Sequence, residues 1–233
     1  MMKLLNHYKK LNYEKYYDII ITNVKKHENE FIQVSSFLNG ITTKETIQNA
    51  KIECEDMDVR IDLPVWFGNL NTAKKRIIVF GLEPRDTNSS FNIDKVGKNV
   101  FATPFGIDRW NFKSSIKYKP QNKYYRVFKD FISNDDNFIL FSDIVKEYQV
   151  ISKKNENGKN DKTARELFFT KAANSLAYLT EEIRLVNPTH IITLGNDSFE
   201  FLSKYFNEIT IRLRHPSNGG EKIAIEQLNK IIK

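Results

Sequence analysis

Cysteine is almost absent: Cys54 is the single one in 233 residues. One thiol cannot close an internal disulfide, nor supply a zinc or iron–sulfur site built on several thiolates. No run comes near the roughly 18 to 20 consecutive apolar residues that cross a bilayer, and the opening Met1-Met2-Lys3 lacks the apolar stretch of a secretory signal. A cytoplasmic protein without a membrane partner is therefore expected. Internal repeats, long linkers, Walker loops, dinucleotide fingerprints and a Ser/His/Asp order are all missing. What the chain does have is a 40% apolar and 12% aromatic content. That supplies a sizeable core, at a length suited to one α/β domain with at most a short appendage. It also carries 36 Lys and Arg against 29 Asp and Glu, a net charge of +7 that favours a polyanion such as nucleic acid. Abundant Lys, Asn and Ile offer a plainer origin for that charge, a compositional bias of the source genome.

Residues 1–70 read as a helical appendage packed on a main domain of residues 71–233. Within the appendage, Tyr13, Tyr16, Tyr17 and Ile20 fall at helical spacing in Asn12–Lys25. His7 and His27 read as surface residues. Ser152–Lys162, SKKNENGKNDK, has nothing to bury and reads as a mobile loop, its lysines either facing solvent or touching a DNA backbone. Four short β-branched or aromatic runs stand out: Arg76–Phe80, Phe138–Phe141, His190–Leu194 and Ile209–Leu213. Each is followed by turn residues, and helical patterns occupy Lys123–Ile132, Arg165–Val186 and Glu221–Ile232. Strands alternating with helices imply right-handed crossovers and a parallel sheet covered on both faces. In such sheets the ligand crevice forms beyond the carboxyl ends of the strands, so the chemistry belongs in the segments after the four runs.

Two of those segments carry suitable residues. In Gly81-Leu82-Glu83-Pro84-Arg85-Asp86, the Gly permits a sharp turn, while Pro84 restricts Glu83 to extended geometry and presents a carboxylate. Such a Glu also serves elsewhere as a helix cap or an ion-pair partner. In Arg214-His215-Pro216-Ser217-Asn218-Gly219-Gly220, an imidazole at another strand end precedes a turn of small residues. With these motifs in this order, and Asn187–Leu202 (NPTHIITLGNDSFEFL) between them, the chain from Lys75 to about Gly220 resembles the uracil-DNA glycosylase superfamily. GLEPR is similar to its Gly-x-x-Pro water-activating loop, and RHPSNG to its His-Pro-Ser loop.

The resemblance implies a three-layer α/β sandwich around a central four-stranded parallel sheet. It also implies a monofunctional enzyme that flips a nucleotide out of DNA and hydrolyses the N-glycosidic bond, without cofactor or metal. As that bond breaks the sugar becomes oxocarbenium-like and the base gains negative charge, so an anion below the sugar and a donor beside the base both lower the barrier. By that resemblance Glu83 is the general base and electrostatic stabiliser, His215 bonds the pyrimidine O2, and Ser217 grips a phosphate. The aromatic shelf under the flipped base falls to Phe105 or to Phe101. Family members often place a bulky apolar wedge just past the His loop; here Asn218-Gly219-Gly220 follow. Arg214 or another loop then fills the vacated space, or the substrate is single-stranded or already weakened.

The end of the second run departs from the uracil pattern in a physically informative way. Uracil-reading relatives carry an Asn there, and this chain has Asp143. An ionised Asp only accepts hydrogen bonds, so it opposes the O4 of uracil and suits the N4 amino group of cytosine. A protonated Asp143, or one capping a following helix, would not carry that preference. Arg85 stands where uracil enzymes hold a Tyr or Gly near C5, leaving room for an oxygenated substituent. Together these favour a modified cytosine over uracil, for base excision or for defence against foreign DNA, by a monomer acting on duplex or single-stranded DNA. The competing expectations are a uracil enzyme in repair, a catalytically silent nucleic-acid-binding member of the fold, and a hydrolase of free nucleosides. His190, Trp66 and Trp110 read as structural residues, with the wall of a DNA groove as the alternative place for either Trp.

Overall fold

The computed structural model describes residues 3–4, 7, 59–62, 64–83, 101–102, 104–110, 122–149, 162–217 and 219–232. The helix expected over 12–25, His27 and the loop at 152–161 lie outside the described residues. In chain order the elements are β1 (Val59–Asp62), β2 (Val65–Phe67), β3 (Lys75–Gly81), β4 (Phe101–Ala102), a 3-10 segment (Pro104–Arg109), α1 (Lys123–Ile132), β5 (Asn137–Asp143), β6 (Glu147–Gln149), α2 (Lys162–Val186), β7 (His190–Leu194), α3 (Asn196–Phe206), β8 (Thr210–Leu213) and α4 (Glu221–Ile232).

The four expected runs form strands β3, β5, β7 and β8, all mutually parallel, but the central sheet is not four-stranded. Among the described residues it has five strands in the order β2-β5-β3-β7-β8, and β2 runs antiparallel to β5. The extra edge strand arises because Val65-Trp66-Phe67, set off by the buried Pro64, pairs with Phe141, Leu140 and Ile139 and buries all three of its side chains. Its three residues are too short to carry a period of their own, and pairing to β5 supplies what local propensity cannot. β1, β4 and β6 form a second, small sheet in the order β4-β1-β6.

Helices cover both faces of the five-stranded sheet. Residues on opposite faces of β5 make the division clear, because successive side chains in a strand alternate. Phe141 packs edge-on against Phe128 of α1 and against Trp110, and α1 is tied to α4 by a bidentate Arg126–Glu221 pair at 2.5 Å. Ser142, on the other face, donates to Glu182 of α2 at 2.9 Å, and α2 packs on α3 through Phe168 and Phe201. The strands are therefore continuous apolar runs, Ile77–Phe80 and Phe138–Phe141 being almost wholly buried, as a doubly covered parallel sheet requires. Phe128, fully buried, anchors the α1 layer; truncating such a side chain costs about 3–5 kcal/mol. Leu4 reaches this core, and His7 is buried rather than on the surface, its Nε2–H donating to the Tyr178 carbonyl at 3.0 Å. The reason is packing: Leu4 joins the core, and the imidazole, set against Tyr178 of α2, satisfies its polarity on a helix carbonyl. Among the described residues no helix is long and apolar enough to cross a membrane.

Candidate active site

Parallel strands deliver their carboxyl ends to one edge of the sheet, and a crossover helix starts from that same edge. The first turn of α1 therefore stands over the ends of β3, β5 and β8. At β3 the chain ends on Gly81, and a Cβ there would overlap Oδ1 of Asp143, with the Phe105 ring 3.5 Å from it. Glycine is needed because the Asp143 carboxyl occupies the space a side chain would take. The exits of β3 and β5 are zipped together, Ile144 N–H donating to Gly81 O at 3.1 Å and Val145 N–H to Leu82 O at 3.0 Å. Glu83 follows directly, half-buried at this edge.

Asp143 is 3% exposed and is the last residue of β5 rather than part of the turn beyond it. No helix follows it; residues 144–146 bend and β6 begins at Glu147, so the capping role is excluded. Its N–H donates to Oδ2 of Asp62 at 3.0 Å. Asp62 belongs to a buried polar cluster that sequence reasoning missed. Lys146 Nζ bridges Asp62 at 3.0 Å and Glu182 at 3.3 Å and also bonds Ser142, all four side chains being almost fully buried. Burial dominates the titration of Asp62 and raises its pKa from 3.8 to about 6, against the opposing pull of Lys146. The Lys146 ammonium is held above its ordinary pKa: burial opposes its charge, and Glu182, Asp62 and Asp143 together outweigh that penalty. A buried pair of this kind strongly resists loss of one partner, because the other is left as an uncompensated charge.

Phe105 sits in the 3-10 segment with φ 57° and ψ 15°, a left-handed conformation that a bulky residue rarely adopts. Strain of about 1–3 kcal/mol at such a position persists only where surroundings enforce it. Here the indole N–H of buried Trp110 donates to the Phe105 carbonyl at 3.1 Å. The half-buried Phe105 ring lies between Phe141 and Tyr124, at centroid distances of 6.1 and 5.2 Å. The other aromatic expected, Phe101, lies in β4 of the small sheet, paired alongside β1.

The third component is His215. Tyr124 Oη lies 3.2 Å from its Nε2, and the two rings meet edge-to-face at 5.6 Å. Its Nδ1 lies 3.2 Å from the Ser217 amide N and 2.6 Å from Ser217 Oγ. A backbone N–H only donates, so Nδ1 accepts and the ring hydrogen sits on Nε2. Burial, aided by the Lys123 ammonium, lowers the His215 pKa, which keeps the ring neutral at pH 7. Lys123 Nζ in turn donates to Ser217 Oγ at 3.3 Å. The loop is tight: a Cβ on Gly220 would overlap the His215 carbonyl oxygen. Burial pushes the Tyr124 phenol above its ordinary pKa, so it stays protonated.

Pairwise contacts thus chain these residues together at the carboxyl edge of the sheet: Asp143 and Phe105 both lie against Gly81, Phe105 against Tyr124, Tyr124 against His215, and His215 against Ser217. Arg214 is exposed, its amide donating to Gln227 Oε1 at 2.7 Å. Arg85 and Asn218 lie outside the described residues. Tyr124 and Lys123 were not singled out by sequence, although a signal exists: they open the helix that follows the first strand, and topology sets a first turn at the crevice. A cavity of about 290 Å³ opens elsewhere, at the amino ends of β3 and β5 beside Lys74, Lys75 and Asn137. It is remote from these groups, and the convergence of neutral imidazole, carboxylate and aromatic ring defines the site better than volume does. No protein-family model and no curated protein matches the chain.

Proposed function

We propose that the protein is a monofunctional DNA glycosylase that flips out a pyrimidine, a 5-modified cytosine ahead of uracil, and hydrolyses its N-glycosidic bond to leave an abasic site. The single observation that carries the reading is the His215 imidazole, its Nδ1 held by Ser217 and its Nε2 at Tyr124, which in turn packs on Phe105 beside the Asp143 carboxyl. The resemblance of GLEPR and RHPSNG to the uracil-DNA glycosylase motifs supports it.

In this reading the flipped base stacks on Phe105, which costs little in sequence selectivity and supplies binding. Asp143 accepts from the exocyclic amino group, and the Nε2–H donates to O2. Glu83 orients a water below C1′ and takes its proton as the water oxygen bonds to C1′. The C1′–N bond breaks, its electron pair leaves with the base, and the charge is met at O2 by His215. One preorganised donor at a developing oxyanion contributes on the order of 3 kcal/mol. A neutral donor suits this task, since it stabilises the departing anion without being consumed as an acid. Lys123 meets the DNA backbone by charge, and the Ser217 hydroxyl turns from Nδ1 to a phosphate when DNA binds while the Ser217 amide N–H stays on Nδ1; such contacts position the strand without reading sequence.

The test is base release from oligonucleotides carrying uracil, 5-hydroxymethylcytosine or its glycosylated form, read as strand breaks after alkali. Activity on at least one, abolished by Glu83→Gln, is expected. Intact strands with tight, salt-sensitive binding would point instead to a silent nucleic-acid-binding protein.

A further inference from the structure

We infer that Tyr124 is a positioning residue for His215: its phenol oxygen takes the Nε2 hydrogen and holds the imidazole in the orientation from which a substrate carbonyl later receives it. What that donor does to a substrate rests on the glycosylase reading; the positioning itself does not.

Ser217 settles which nitrogen of His215 carries hydrogen, because its amide N–H and its Oγ both reach Nδ1. Contacts at one nitrogen leave the ring free to swing about that point, and a donor that swings loses directional strength. Tyr124 supplies the second point, 3.2 Å from Nε2 at the far side of the ring, with the two ring planes at 89°. With both ends held, the plane and direction of the N–H are defined.

Tyr124 is itself braced. Its amide donates to the Asn122 side chain at 2.8 Å, and Phe105 lies against its ring at 5.2 Å. Lys123 is joined to Ser217, and Arg126 to Glu221, so the start of α1 and the loop from His215 into α4 form one unit. A single side chain therefore keeps the stacking ring and the hydrogen-bond donor in register. The phenol oxygen also stands in for the ligand acceptor, so the donor is not left unpaired while the site is empty. A substrate carbonyl arriving beside the phenol oxygen shares the same hydrogen, so Tyr124 stays in place and the imidazole keeps its orientation.

Tyr124→Phe keeps the ring and deletes the oxygen. The decisive readout is the histidine side-chain ¹⁵N–¹H spectrum of the free protein, which needs no substrate. Wild type is expected to give a slowly exchanging Nε2–H resonance from His215, with Nδ1 in the unprotonated range. In Tyr124→Phe the Nε2–H resonance broadens or vanishes through solvent exchange. 3-Fluorotyrosine at position 124 retains the oxygen as a weaker acceptor and shifts the resonance to higher field, a second measurement should the Phe variant fold poorly. A resonance unchanged by both replacements overturns the proposal. In turnover on the best DNA substrate, Tyr124→Phe is expected to lower kcat about tenfold with KM little changed, the size of one lost, well-aimed hydrogen bond. A raised KM with normal kcat contradicts it. Should wild type release no base from any DNA, the glycosylase reading falls while the spectra still decide the role of Tyr124.

Discussion

Gly81 and Asp143 are matched across two strands that are 62 residues apart in the chain but paired in register. A methyl at position 81 would displace the Asp143 carboxyl. Gly81→Ala is therefore expected to destabilise the fold by about 1–3 kcal/mol, seen in denaturant midpoint, and to cost more activity than that loss of stability explains. Asp143→Asn adds a donor where the carboxylate only accepts, so relative activity should move toward uracil; an unchanged preference would remove the cytosine argument. Asp62 supplies a pH test. Its folded pKa, about 6, lies above the 3.8 of the free group, so its contribution to stability is complete below about pH 4 and is lost as pH rises through 6. Wild type should therefore gain stability relative to Asp62→Asn as pH falls from 7 to 5, measured by urea unfolding. His190 and His215, whose lowered pKa values arise from burial and from lysines outside this cluster, oppose this equally in the two proteins and cancel in the difference. Individual site residues were unevenly legible. Glu83, His215 and Asp143 stood out because each follows a strand-like run. Asp62 and Glu182 did not, since nothing local to a buried carboxylate in an apolar stretch or helix reveals a lysine 84 or 36 residues away.

At the level of elements, the parallel strands were readable because doubly covered strands must be continuously apolar, and helices α1 and α4 because their polar and apolar residues recur with helical period. Strand β2 was not readable: three residues make a strand only when a neighbour supplies the hydrogen bonds. β5 runs on to Asp143 for a related reason, as pairing with Gly81 and the bond from Asp143 N–H to Asp62 extend it past the last apolar residue. The 3-10 segment carries a further test. The left-handed turn at Phe105 depends on the Trp110 indole, so Trp110→Phe, which retains most of the packing, should cost about 1 kcal/mol and loosen the aromatic shelf. The signature is a larger loss of activity than of melting temperature; equal, small losses would mean that the indole bond does not hold the shelf.

Over the whole molecule, two features act together: a surplus of +7 and a crevice at one edge of the sheet whose mouth carries Lys123 beside Ser217. On the glycosylase proposal, the first would supply long-range attraction to a polyanion and the second register on the backbone. If Lys123 meets a phosphate, Lys123→Ala should lower the slope of log binding constant against log salt by about 1 without altering base preference. The arrangement of helices around a parallel sheet followed from the order of elements, whereas the fifth strand and the burial of Leu4 and His7 required contacts that no local pattern encodes. The most direct test of the central claim is mass detection of free base after incubating wild-type protein with DNAs that differ only in their pyrimidine modification. The account predicts release of a 5-modified cytosine base, leaving abasic sites, and none from Glu83→Gln. Tight binding of every DNA with no base released from any would contradict it.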